Sequence, residues 1–148
     1  MIDKPGPELD KQIAYKLFNA QIIRMENEQD YRNGWYLIVI GPSMDRKLPA
    51  AYTSTERKWQ SAIWAATEEK AWALLPEYST KWSGMQLVVE EMQRRGWEYV
   101  IESEGTDKHH ARFFKTYEGD YGEYNGATKA PFAVCMAALK ALEDSQNE

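Results

Sequence analysis

A single cysteine, Cys135, stands among the 148 residues, so no disulfide can form within the chain. It lies in Phe132-Ala-Val-Cys-Met-Ala-Ala-Leu139, an apolar run that suits a small packed hydrophobe rather than an exposed, reactive thiol. Histidine is almost as scarce. His109 and His110 are the only two, and adjacent positions of a strand point to opposite faces, so the pair cannot ligate one ion from regular geometry. A zinc centre would need more cysteine and histidine than the chain supplies. No stretch approaches the roughly 20 apolar residues that span a bilayer, and Met1 to Asp10 has no basic stretch leading into an apolar run. The expectation is a cytoplasmic protein with no membrane partner. Clustered basic residues are missing too: Arg46-Lys47 and Arg94-Arg95 are isolated doublets in a chain of net charge −5, which argues against direct nucleic-acid binding. Walker, dinucleotide-binding, nucleophile-elbow and metalloprotease signatures are all lacking. No catalytic residue, metal or cofactor is therefore assigned.

What is present is a well-punctuated series of elements. Pro5-Gly6-Pro7 marks a disordered start, and Leu9, Ile13, Leu17 and Ala20 recur at helical spacing, predicting a helix over about 8–24. Asn33-Gly34 is a turn signal. Trp35-Tyr-Leu-Ile-Val-Ile40 is a continuous apolar and β-branched run closed by Gly41-Pro42, which predicts a strand covered on both faces. Residues 43–57 are turn-rich and polar, expected as a loop or ragged hairpin, and 58–65 is open to a strand or a helical reading. Thr67 caps a two-turn helix that carries acids in its first turn and stops at Pro76.

The second half is more legible. Ser79 or Thr80 is the expected cap of a helix whose apolar face runs through Trp82, Met85, Val88, Val89 and Met92, and Gly96 is its left-handed stop. Arg94-Arg95 complements the helix dipole in the last turn. Trp97, Tyr99 and Ile101 alternate with Glu98, Val100 and Glu102 in a half-buried strand. Residues 104–108 are turn chemistry, and 109–117 form the return strand of a hairpin. A loop is expected over 118–127. Thr128 then caps a final helix, with Pro131 in its first turn and a stripe of Phe132, Cys135, Met136, Leu139 and Leu142.

Tyr78-Ser-Thr80, Arg95-Gly-Trp97, Ala111-Arg-Phe-Phe114 and Ala127-Thr-Lys-Ala-Pro-Phe-Ala-Val-Cys-Met-Ala-Ala-Leu-Lys-Ala-Leu142 resemble the phage ABA sandwich domain, a family of phage and prophage proteins without an established activity. The likeness covers about 67–144. It implies a three-layer α/β/α sandwich and agrees with the doubly covered sheet expected above. The fold expectation is thus an α/β (α+β) chain, 1–148 as a single domain, with a sheet of about four strands between helical layers and disordered ends at 1–7 and 145–148.

Candidate binding residues cluster late in the chain. Glu118-Gly-Asp-Tyr-Gly-Glu-Tyr-Asn-Gly126 combines acids, glycines and tyrosines, with a spacing unlike that of an EF-hand loop, and its Asp120, Tyr121 and Tyr124 suit a ligand-contacting loop. His109 and Arg112 on the preceding strand join them. Glu98 and Glu102 share a face with Val100, so they line a groove or simply meet water. Gly41-Pro-Ser43 follows a buried strand but lacks phosphate-cradling glycines. The functional expectation is a phage or prophage accessory protein, a non-enzymatic binding module for a host protein or a small molecule, with a homo-oligomer as one form of interaction. Two alternatives stay open: sequestration of a nucleotide-like signal in a counter-defence role, and a small enzyme using His109, Glu102 and Asp120.

Overall fold

The computed structural model describes residues 4–24, 26, 28–29, 31, 33–39, 63–116 and 119–146; side chains at 21, 23, 37–39, 63–64 and 145–146 are outside that description. Those residues form a mixed α+β protein with four helices and two three-stranded antiparallel sheets. The chain, expected as one domain, divides into two compact units, Met1–Ile13 with Pro76–Glu148, and Ala14–Leu75. Each is described by itself.

In the unit Ala14–Leu75, the first helix, α1 (Pro7–Leu17), ends. The sequence predicts helix through residue 24, but Asn19 takes a left-handed backbone (φ 54) and the Ala20 amide donates back to the Ala14 carbonyl over 2.9 Å. Asn tolerates that conformation better than most residues, so the chain turns and continues as strand β1 (Gln21–Arg24). β1 pairs antiparallel with β2 (Tyr36–Val39), Arg24 opposite Tyr36, and the expected Asn33-Gly34 turn lies just before β2. On its other edge β2 pairs with β3 (Ile63–Ala65), which resolves the ambiguous 58–65 stretch as strand over its last three residues. Thr67 then caps α2 (Glu68–Ala73): its Oγ1 accepts from the Lys70 amide at 3.2 Å, as the sequence predicts. The loop expected at 43–57, the Gly41-Pro-Ser43 motif, Arg46-Lys47 and residues 58–62 lie outside the described residues.

The other unit holds α3 (Trp82–Arg94), β4 (Glu98–Ser103), β5 (His109–Phe114), β6 (Tyr121–Ala127) and α4 (Ala130–Gln146), together with the start of α1. The strands run in the order β4-β5-β6, all neighbours antiparallel. Helix α4 packs on the sheet, mainly on β5 and β6, and α3 packs on α4. Its stripe differs from the expected one. Ala133, Ala137, Ala138 and Ala141 are fully buried while Met136, Leu139 and Leu142 are only partly so, because small side chains let the helix lie close to the strands. Gly122 completes the fit from the sheet side: a Cβ there would sit 2.2 Å from the Ala141 nitrogen and 2.4 Å from the Ala137 carbonyl oxygen. The segment expected as a loop at 118–127 is therefore a strand over Tyr121–Ala127, its glycine serving the contact with α4. Phe113, almost fully buried at the centre of β5, contributes roughly 1.5–3 kcal/mol of burial free energy.

Helix ends in this unit follow two different rules. At the C-terminus of α3 the Gly96 amide donates to the Gln93 carbonyl at 2.9 Å and the Trp97 amide to the Met92 carbonyl at 3.0 Å, with Gly96 at φ 96; this is the expected left-handed stop. At its N-terminus the expectation fails. Lys81, not Ser79 or Thr80, is the cap residue, and no side chain caps the helix. Ser79 is fully buried instead, donating from both its amide (2.8 Å) and its hydroxyl (2.7 Å) to Asp10 Oδ1, while its Oγ accepts from the Gly6 amide at 2.9 Å. Trp82, counted on the apolar face from its spacing, is 64% exposed. Helix α4 starts at Ala130, with the Lys129 carbonyl accepting from the Ala133 amide, two residues beyond the expected Thr128 cap. Pro7 opens α1 and α4 continues through Gln146, within the ends 1–7 and 145–148 expected to be disordered; 1–3 and 147–148 lie outside the described residues.

Candidate functional site

Strand alternation divides the β4-β5-β6 sheet into two unlike faces. Tyr99, Ala111, Phe113 and Tyr124 belong to the face that meets α4: Tyr124 makes an edge-on contact with Phe132 at 5.2 Å and lies under the Lys140 ammonium at 5.0 Å. The other face collects charge. Pairing sets Val100 opposite Arg112, Glu102 opposite His110, and Arg112 opposite Glu123, so these five side chains share one surface. They line an open groove of about 380 Å³, completed by Glu104, Ala111 and Asn125.

A bulge shapes one end of the groove. The β5–β6 register slips between His109 and Ala111, and the Gly126 amide donates to His110 Nδ1 at 3.0 Å. With Nδ1 accepting, the ring is neutral and carries its proton on Nε2. That Nε2–H is covered from water and forms no hydrogen bond among the described residues; Glu104 Oε1 is 3.4 Å away but outside hydrogen-bond geometry. Arg112 Nε–H is likewise covered and unbonded, while the guanidinium lies over the Phe114 ring at 5.3 Å. Leaving such a donor without an acceptor costs roughly 1–3 kcal/mol, so the floor of the groove holds two N–H groups that an acceptor would stabilise.

The acids around that floor are unequally engaged. Glu123 Oε1 accepts from Asn125 Nδ2 at 2.7 Å, and Oε2 accepts from the Tyr121 hydroxyl. These two bonds, first the tyrosine's and then the asparagine's, hold the Glu123 carboxyl below its ordinary range, and the same bond to Glu123 raises the Tyr121 phenol against the opposing pull of Arg112. Glu104 also lies 3.9 Å from Lys108 Nζ, an exposed pair of small energetic weight. Glu102 has no bonded partner among the described residues.

The structure sorts the residues proposed from sequence. Arg112 lines the groove and Tyr121 borders it through Glu123. Tyr124 is on the opposite face, against α4, so the two tyrosines cannot grip one ligand together. His109 folds back over the β4–β5 turn, its Nε2 3.1 Å from the Thr106 carbonyl oxygen, and is not in the groove. Asp120 is 3% exposed at the entry to β6, with Oδ1 unbonded, and does not line the groove either. The trio His109, Glu102 and Asp120, considered for an enzyme, is not brought together: only Glu102 lines the groove. No group of three or more His, Cys, Asp or Glu side chains able to hold a metal occurs among the described residues.

His110, Glu123 and Asn125 line the groove but are not among the binding residues chosen from sequence, where His110 stands beside His109, Glu123 is a possible carboxylate partner of Glu102, and Asn125 belongs to the same loop. Alternation on β5 places His110, not His109, beside Arg112; the β6 residues required the strand itself, which Gly122 conceals in a glycine-rich sequence.

No family model matches the chain, and no curated protein or solved structure matches it either. No described helix is long and apolar enough to cross a membrane.

Proposed function

We propose that this chain is a non-enzymatic binding module and that its ligand lies in the groove on the charged face of β4-β5-β6. The carrying observation is the pair of N–H groups, His110 Nε2 and Arg112 Nε, covered from water and bonded to nothing among the described residues while their side chains line an open groove. A binding role also fits the state of the imidazole. Its Nδ1 is occupied by the Gly126 amide and its Nε2 holds the proton, which makes it a donor and not a general base.

The broader form of the proposal follows the residues quoted in the sequence analysis: a phage or prophage accessory protein of the ABA sandwich type, acting in the cytoplasm on a host protein or a small molecule, with three-layer sandwich packing and a fourth strand. The sequestration alternative would use Arg112 for phosphate and Tyr121, 42% exposed, for stacking. Charge weighs against it, since Glu102, Glu104 and Glu123 surround the single guanidinium.

Native mass spectrometry of gently purified protein, compared with its denatured mass, tests the reading. A stoichiometric added mass that disappears in Arg112→Gln, with the thermal midpoint of the ligand-free variant little changed, is the expected result. A bound mass indifferent to Arg112→Gln and Glu102→Gln would remove the groove from consideration. Turnover of a metabolite by the pure protein would overturn the non-enzymatic reading.

A further inference from the structure

Resting on the groove as the binding site, we infer that it takes a small zwitterion: a molecule with a carboxylate and an ammonium group a few bonds apart, of the free α-amino acid class. The groove has two chemically distinct parts. His110 Nε2–H and Arg112 Nε–H, on the same face of β5 and two residues apart, are donors that form no hydrogen bond among the described residues. A carboxylate answers both, because it carries two oxygens and a charge opposite to the guanidinium. Around them are acceptors. Glu102 is directly across from His110 and unpartnered among the described residues, Glu104 lies 3.4 Å from His110 Nε2, and Glu123 closes the β6 side.

With the imidazole neutral, three carboxylates against one guanidinium leave the lining at 1 − 3 = −2. A simple anion would meet that excess of negative charge, and a simple cation would leave the two floor donors unanswered. A zwitterion meets both demands, its ammonium at Glu102 and Glu104 and its carboxylate at Arg112 and His110. Glu123 takes no direct part, its two oxygens being held by Tyr121 and Asn125. About 380 Å³ lies at the lower end of the range for small-molecule pockets, and Val100 gives the lining one apolar side chain.

Titration of the full chain with the free L-amino acids tests this, following the arginine Nε–H and imidazole signals by NMR. For each binder, the amide (ammonium only), the N-acetyl derivative (carboxylate only) and inorganic phosphate are titrated beside it. The expected result is saturable movement of the Arg112 and His110 signals by at least one amino acid, with the amide and the N-acetyl form each weaker by about tenfold or more. Glu102→Gln should weaken the amino acid and its amide but not the N-acetyl form; Arg112→Gln should weaken the amino acid and its N-acetyl form but not the amide. An amide or an N-acetyl form binding as well as its parent, or phosphate binding through Arg112, would overturn the zwitterion while leaving the groove as a site. No shift of either signal with any amino acid overturns the zwitterion; the groove reading then stands or falls separately on whether the mass found in native spectra depends on Arg112.

Discussion

Asp10 and Glu91 are both almost fully buried acids, and they are stabilised by opposite means. Burial pushes the Asp10 carboxyl above its ordinary value of 3.8, and the two bonds from Ser79 only partly offset this. Burial also pushes Glu91 upward, but bonds from Arg94 at 2.6 and 2.7 Å and from Arg95 at 2.8 Å outweigh it and hold the carboxyl below 4.5. The signs for stability follow. A raised carboxyl binds its proton more tightly in the folded state, so the Asp10 contribution increases as pH falls towards 3.8; a lowered one contributes stability above 4.5 that is lost as pH falls through its folded value. Urea unfolding between about pH 7 and about pH 3 should therefore show Asp10→Asn losing more stability on acidification than the parent, and Glu91→Gln losing less. At neutral pH, Asp10→Ala strands the Ser79 amide in a buried site, leaving the hydroxyl only the Gly6 carbonyl at 3.4 Å, and should cost roughly 1–3 kcal/mol, while Asp10→Asn, which keeps an acceptor, should cost less. Cys135 follows the same logic. Burial raises its thiol well above the ordinary range, so a thiol reagent should label it only on unfolding.

Elements are positioned by where the chain lacks a side chain as much as by where it has one. Gly122 on β6 faces the α4 backbone, and Gly84 on α3 faces the Glu77 carbonyl, whose oxygen would be 2.3 Å from an added Cβ. In both cases the obstacle is backbone, which cannot rotate away, so Gly122→Ala and Gly84→Ala should each cost about 3 kcal/mol or more in chemical denaturation. Ala137→Gly with Gly122→Ala would not restore the fit, because the clash is with main-chain atoms. Gly96→Ala has open space around its Cβ yet forces a non-glycine residue to φ 96; a cost of about 1 kcal/mol, confined to the end of α3, is expected from the same experiment.

At the scale of the whole molecule, the described residues of the unit that holds β4-β5-β6 include a contiguous, deeply buried helix. Ala133, Val134, Cys135, Ala137, Ala138 and Ala141 on α4 are all at 0% exposure, and Ala111 and Phe113 beneath them are at 2% and 1%. Hydrogen exchange should therefore be slowest for amides of α4 over 133–141 and of β5 at Ala111 and Phe113, with α2 (Glu68–Ala73), mostly exposed, exchanging much faster. Equal protection of α2 and α4 would contradict that gradient. Much of the order of elements was legible beforehand, because its causes are local: Thr67 reaches an amide three residues away, Gly96 adopts a backbone others avoid, and the alternating sequence from Trp97 to Glu102 predicts β4, although burial along that strand runs in pairs. Half of the site was legible for the same reason, since Arg112 and the Glu98-Val100-Glu102 face follow from period two. The sequence by itself determined these caps, stops and periods. Only the tertiary structure decided that Ser79 bonds Asp10 instead of capping α3, that the Gly-rich 121–127 stretch is a strand against α4, and that His110, not His109, joins Arg112. Each of those outcomes rests on partners 16 to 69 residues apart or on a helix packed over a glycine, and a sequence window records preferences of neighbours, not the register that brings distant residues face to face.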